Sequence, residues 1–162
     1  MEVWDACDRD GNVLGIDIVR GEKVPDELYH VVVDIVVRHI DGTYLLMQRD
    51  FSKPNFPGLW ELGASGSILK GESPQAGAMR ELREETGISS GELTQIDRCV
   101  GRNSIYIIFL CVTGAAKNSV VLQPGETVAF QWLPKDRMLA FIKTAAFVGV
   151  VKERLSECMR YL

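Results

Sequence analysis

A chain of 162 residues that is 46% apolar and 25% charged is long enough for one domain with a genuine core. Its formal charge of −4, with no basic stripe, argues against a duplex nucleic-acid partner, whose phosphates need neutralising; a single nucleotide, which one Lys or Arg can hold, stays open. No apolar run approaches the ~20 residues of a membrane span. The N-terminus lacks the basic-then-apolar pattern of a signal peptide, and Cys7, Cys99, Cys111 and Cys158 are scattered without metal spacing, so the chain reads as a reduced, cytoplasmic protein.

Taken in chain order, Val3 to Cys7 and Val13 to Val19 flank Asp8-Arg-Asp-Gly-Asn12 and predict a β-hairpin. A charged stretch with Pro25 follows. His30 to His39 carries Val31, Val32, Val33, Ile35, Val36 and Val37 and predicts a buried strand. Asp41-Gly42 turns the chain back into a strand over Thr43 to Gln48. Further strands are predicted at about Leu93 to Val100, Ile105 to Val112 and Val128 to Leu133. The stretch from Ala145 to Leu162 predicts a C-terminal helix, with Val148, Val151, Leu155, Cys158 and Met159 at helical spacing. Strands on both sides of one helix, with a second helix at the end, suggest a sheet between helices.

The most informative stretch runs from Gly66 to Ile88. Ser73 suits an N-cap, Pro74 the first helical position and Gly87 a C-terminal stop. Between them the ~100° advance per residue places Ala78, Met79, Leu82 and Thr86 on one arc and Glu81, Glu84 and Glu85 on another. The first arc faces a core. The second sets like charges at i,i+3 and i,i+4, each pair costing about 0.2–0.5 kcal/mol unless something neutralises it. Arg80 and Arg83 can do so on a solvated face. A divalent cation can do so too, and all-oxygen ligands favour Mg²⁺ or Mn²⁺ over zinc, for which Cys and His clustering is absent. Gly63, Gly66 and Gly71 let the preceding loop bring its backbone close to a ligand at the helix start. Gly77 falls inside the helix at a cost of about 1 kcal/mol relative to Ala, which is explained if it makes room for ligand or for a packed loop.

Gly66, Glu72, Arg80, Glu81, Leu82, Glu84, Glu85, Gly87 and Ile88 meet every specified position of the box that defines the Nudix hydrolases, and the chain resembles that family. Typical neighbours at Gln48-Arg49, Phe56 to Glu61 and Phe130 to Leu133 extend the resemblance over roughly residues 30 to 140. It implies a single domain, an α/β fold with an α/β/α sandwich and a mixed sheet between helices. A hairpin over about 1–29, a core over about 30–140 and a C-terminal helix over about 145–162 would compose it. It further implies Mg²⁺, with Mn²⁺ as substitute, held by Glu81, Glu84 and Glu85, by the Ser65 backbone and, from outside the box, by Glu126. Glu72 and Arg80 would tie the loop to the helix, supported by Gly66 and Gly87. The implied reaction is attack of water on phosphorus in a nucleoside diphosphate linked to another moiety, with Glu81 or Glu84 as base.

Substrate contacts are less determined. Arg49 and Lys53 are candidates for a distal phosphate. Trp60, like Phe56, serves either to stack a base or to pack the core; Tyr106 stands near a tyrosine of dinucleoside-polyphosphate hydrolases and equally reads as a strand residue. The implied partner is a small-molecule diphosphate, with neither duplex nucleic acid nor membrane, and a homodimer through the hairpin is compatible with the resemblance. Two other readings come from different classes. The N-terminal part resembles the isopentenyl-diphosphate-isomerase-like branch, whose chemistry needs a cysteine and histidines that the Trp60 to Ser67 stretch lacks. A nucleotide-binding module without turnover is the other, although degenerate boxes mark such proteins and this one is intact.

Overall fold

The computed structural model describes residues 2–162. Its core is a seven-stranded mixed sheet, and a separate two-stranded antiparallel hairpin, β1 (Val3–Cys7) and β2 (Val13–Val19), stands beside it. The long strands are β3 (His30–His39), β4 (Thr43–Arg49), β7 (Glu92–Val100), β8 (Ser104–Thr113) and β9 (Thr127–Pro134). β3 and β8 run parallel over their whole length, from His30↔Ser104 to His39↔Thr113, and the other pairings are antiparallel.

Alternation along these strands separates two cores. Val33, Ile35, Val37, Leu45, Met47, Phe109 and Cys111 meet Ala78 and Leu82 of α1 (Pro74–Thr86) on one face. Val36, Tyr44, Leu46, Ile108 and Leu110 meet Met138 of α2 (Lys135–Phe141) and Val151 and Leu155 of α3 (Gly149–Leu155) on the other. The architecture is therefore an α/β/α sandwich with a mixed sheet, as the sequence implied.

Two strands of three and four residues, too short for a periodic signal, complete the sheet, and they position the site. The β3–β4 hairpin is paired at its tip, Arg38↔Tyr44, and below it the chain from Trp60 to Ser67 fills the gap. β5 (Trp60–Leu62) pairs with β4 and β6 (Ala64–Ser67) with β3. The segment changes partner at Gly63, whose φ is +59° and where a Cβ would lie 2.0 Å from the Ile35 carbonyl oxygen. A glycine is required there on both counts.

The predicted C-terminal helix over 145–162 is shorter than expected. α3 ends at Leu155, and Cys158–Tyr161 is a separate 3₁₀ turn. The spacing read from the sequence marks the residues that are buried, since Val148, Val151, Leu155 and Cys158 all join the core, and a helix followed by a 3₁₀ turn buries the same positions as one long helix. α2 has no counterpart in the expectations.

Candidate active site

The caps of α1 act as the sequence predicts. The Ser73 side chain accepts from the Ala76 N–H at 3.2 Å, Pro74 opens the helix, and Gly87 closes it at φ +74° with its N–H on the Arg83 carbonyl. The loop before the helix is held by one charged fork. Arg80 Nε and Nη2 donate to the two oxygens of Glu72 at 3.0 and 2.8 Å, and Nη2 also reaches the Ser67 carbonyl at 3.1 Å. Glu72 in turn accepts from the Leu69 N–H at 3.0 Å, and Arg80, hydrogen-bonding first among these causes, holds its carboxyl below the ordinary range. Gly77 supplies the space beneath this loop, because a Cβ there would meet Ile68 Cγ2 at 2.5 Å. Its absent side chain therefore accommodates a packed loop.

The fork delivers the end of β6 onto the acidic arc of the helix. The Ser65 N–H donates to Glu85 Oε2 at 3.2 Å, and a Cβ at Gly66 would fall 2.1 Å from the Glu81 carboxyl carbon. Glu81, Glu84, Glu85, Ser65, Gly66 and Glu126 line one cleft of about 380 Å³, with Arg49, Lys53 and Arg80. Here the structure brings together residues up to 77 positions apart in sequence, from Arg49 to Glu126.

Electrostatically the cleft is divided between crowded carboxylates and cations already engaged. Burial pushes the Glu85 carboxyl well above its usual range, and Glu61 and Glu81 push it further. Burial likewise raises Glu81, against the lowering by Arg80, whose Nη1 donates to it at 2.7 Å and also reaches Glu84 at 3.4 Å. Lys53 is ion-paired with Glu126, and Arg49 with Glu61 at 2.7 Å. With Arg80 spanning Glu81 and Glu84, and Lys53 on Glu126, no group of three or more His, Cys, Asp or Glu side chains closes into a metal centre among the described residues. The donor chemistry nonetheless suits a hard divalent cation: every candidate ligand is an oxygen, and Glu85 is a carboxylate enclosed among like charges whose ionised form needs a countercharge.

Two candidates fall elsewhere. Trp60 does not line the cleft: it sits edge-on to Phe141 at 6.0 Å and packs against the α2/α3 core. Strand alternation in β5 sends it to the face opposite its neighbour Glu61. Tyr106 is also outside, on the α3 side of β8, with the Arg154 guanidinium 4.1 Å above its ring. Of the two readings open for each, core packing describes Trp60 and a strand residue describes Tyr106.

Glu61, behind the cleft, and several residues of the cleft itself carry no signal in the sequence. Glu61 is buried beside Glu85, placed there by the three-residue strand β5, which is too short to be predicted from patterning. Glu2, Trp4 and Arg20 enter from the N-terminal hairpin, which the Asp5 carboxylate anchors to the Gly71 N–H at 2.6 Å and Lys70 to Asp17 at 2.6 Å.

Behind Trp4 lies His30, stacked on it at 4.2 Å with 12° between the planes. His30 is 8% exposed and its ring nitrogens meet the Ser104 and Ser67 hydroxyls at 3.0 and 3.3 Å. Burial lowers its pKa to about 4, so the fold favours the neutral ring. Stability from this residue is fully present above the ordinary value of 6.5 and is lost as pH falls from there towards about 4. The expected loss is up to about 3 kcal/mol. Urea unfolding of wild type and His30→Gln between pH 7 and 4 measures it: the wild type has the steeper loss, and parallel curves would refute the assignment.

The NUDIX domain family model matches residues 28–153. The chain belongs to the Nudix family. An uncharacterized Nudix hydrolase of Listeria monocytogenes is 38% identical over 88 residues, covering 54% of this chain and 52% of that protein, so the match spans about half the length of that relative. An isopentenyl-diphosphate Delta-isomerase of Corynebacterium diphtheriae is 26% identical over 158 residues, 91% of this Nudix chain and 86% of its own. Among solved structures, a Deinococcus radiodurans protein superposes with a TM-score of 0.78, covering 97% of this chain and 99% of that one at 21% identity, a likeness of fold.

Proposed function

We propose that this Nudix protein is a Mg²⁺-dependent hydrolase, with Mn²⁺ as substitute, that cleaves a phosphoanhydride in a nucleoside diphosphate linked to another moiety. The observation that carries the reading is the Arg80–Glu72 fork, which presses the Ser65-Gly66 backbone onto Glu81 and Glu85 inside one polar cleft. Glu81, Glu84 and Glu85, with Glu126 and the Ser65 backbone, are the residues that would hold the cation. Once bound, it lowers the pKa of water and offsets charge on the phosphoryl oxygens.

The remaining work falls to the chain. Water forms a new oxygen–phosphorus bond, the bridging anhydride oxygen leaves with the bonding pair on a phosphate monoester, and the proton of water passes to Glu81 or Glu84. Burial raises the Glu81 pKa, in the direction that strengthens a base. Arg49 and Lys53 stand at the cleft wall to receive the distal phosphate, exchanging Glu61 and Glu126 for it.

The isomerase alternative finds no support in the site, since none of Cys7, Cys99, Cys111 and Cys158, and neither His30 nor His39, lines the cleft. Release of phosphate-containing products from nucleoside triphosphates, ADP-ribose, dinucleoside polyphosphates and isopentenyl diphosphate, with and without Mg²⁺, tests the proposal. Cleavage of a nucleotide that requires Mg²⁺ and falls roughly 100-fold or more in Glu84→Gln is expected. Saturable binding without turnover across the panel would instead make the protein a nucleotide-binding module.

A further inference from the structure

We infer that Trp4, on the N-terminal hairpin, is the platform on which the nucleobase of the substrate stacks. The inference rests on the nucleotide reading above and names the part of the cleft that receives the base.

In an antiparallel pair, residues opposite each other share a face. The register Trp4↔Ile18 therefore puts Trp4 on the same side as Ile18, which is 3% exposed, while Asp5↔Asp17 lies on the other side, where both carboxylates grip the box loop at Gly71 and Lys70. The hairpin is thus clamped to the loop that shapes the site, and the face it turns inward carries Trp4 to the cleft wall. Among the described residues that line the cleft, Trp4 and Val32 are the only apolar side chains. An isoprenoid chain has no apolar path in such a cleft, whereas a planar heterocycle needs one aromatic surface and polar surroundings.

The construction behind Trp4 fits that role. His30 covers one face of the indole at 4.2 Å, with the two ring planes nearly parallel, and is itself fixed by Ser104 and Ser67. A ring backed in this way is held in a single orientation, and it lines the cleft. At the edge of the platform Arg20, held by Glu2 at 2.7 Å, supplies a cation for the phosphate chain leading from the ribose to the box.

The test is binding rather than turnover. Kd values for ADP, inorganic pyrophosphate and isopentenyl diphosphate are measured by calorimetry in Mg²⁺ for the wild type, Trp4→Leu and Trp4→Phe. Trp4→Leu is expected to weaken ADP by roughly 5- to 100-fold, the range of one base–aromatic stack, while pyrophosphate is unaffected and Trp4→Phe keeps most of the ADP affinity. Equal ADP affinity in the wild type and Trp4→Leu overturns the inference. So does a parallel loss of pyrophosphate or isopentenyl diphosphate, which would make Trp4 a support for the cleft or an apolar contact. Tight pyrophosphate with no gain for ADP in the wild type overturns the platform alone and leaves a diphosphate hydrolase standing, whereas no binding of any of the three overturns both readings.

Discussion

Arg80→Ala is expected to lower kcat/KM by roughly 100-fold or more and stability by about 3 kcal/mol, without Arg80 touching the reacting phosphorus. Its guanidinium is the shared partner of Glu72, Glu81, Glu84 and the Ser67 carbonyl. Glu72 and Arg80 side chains are only 16% and 19% exposed, so removing the cation leaves Glu72 without its partner in a place where water solvates it poorly. The loop from Ser65 to Glu72 then loses the bond that fixes it to the helix, and Glu81 and Glu84 lose the charge between them. Arg80→Lys is the informative comparison. It keeps the charge but not the two-pronged geometry, so part of the stability returns while activity stays low. Kinetics and thermal melts on the three proteins decide it; a lysine variant with full activity would show that charge alone suffices and that the fork does not set the geometry.

The second large effect lies beneath the sheet rather than in the cleft. Arg154 of α3 donates to both oxygens of Asp34 on β3 at 2.8 and 3.1 Å, and Asp34 is 4% exposed. Arg154→Met leaves that carboxylate buried and unpaired, at an expected cost of about 3–5 kcal/mol, or roughly 6–20 °C in melting temperature for a chain of this size. The double variant Asp34→Leu, Arg154→Met removes both charges together and is expected to recover most of the loss, because an ion pair taken out of water gains little over well-packed apolar groups. A double variant as unstable as the single one would mean that Arg154 acts mainly through its stack on Tyr106. Denaturant midpoints of the wild type, the single variant and the double variant distinguish the two cases.

Asp34 and Arg154 also show where sequence reading stops. Nothing local connects residues 120 positions apart, and an aspartate in an otherwise apolar strand is legible only as an exception until its partner is seen. Glu61 is a similar case: the sequence sets it beside Trp60, but only the wedge of β5 and β6 between β3 and β4 sends it to the face of Glu85 and sends Trp60 to the far side.

The features legible along the chain are those governed by short-range rules. Helix α1, its Ser73, Pro74 and Gly87 signals and the carboxylate arc follow from spacing within fourteen residues, and the long strands follow from apolar runs bounded by turns. The pairing of Glu72 with Arg80 is also local, eight residues apart, and came with the resemblance the box carries. The tertiary structure alone decided what pairs through the backbone or across the sheet. Ala64 to Ser67 becomes a strand because β3 offers it hydrogen bonds, not because its side chains ask for one. Trp4 reaches the cleft because Asp5 and Asp17 bind a loop more than fifty residues away. The reaction centre is written into one continuous stretch of chain, whereas the surroundings that select a substrate are assembled from distant segments whose contacts leave no periodic trace.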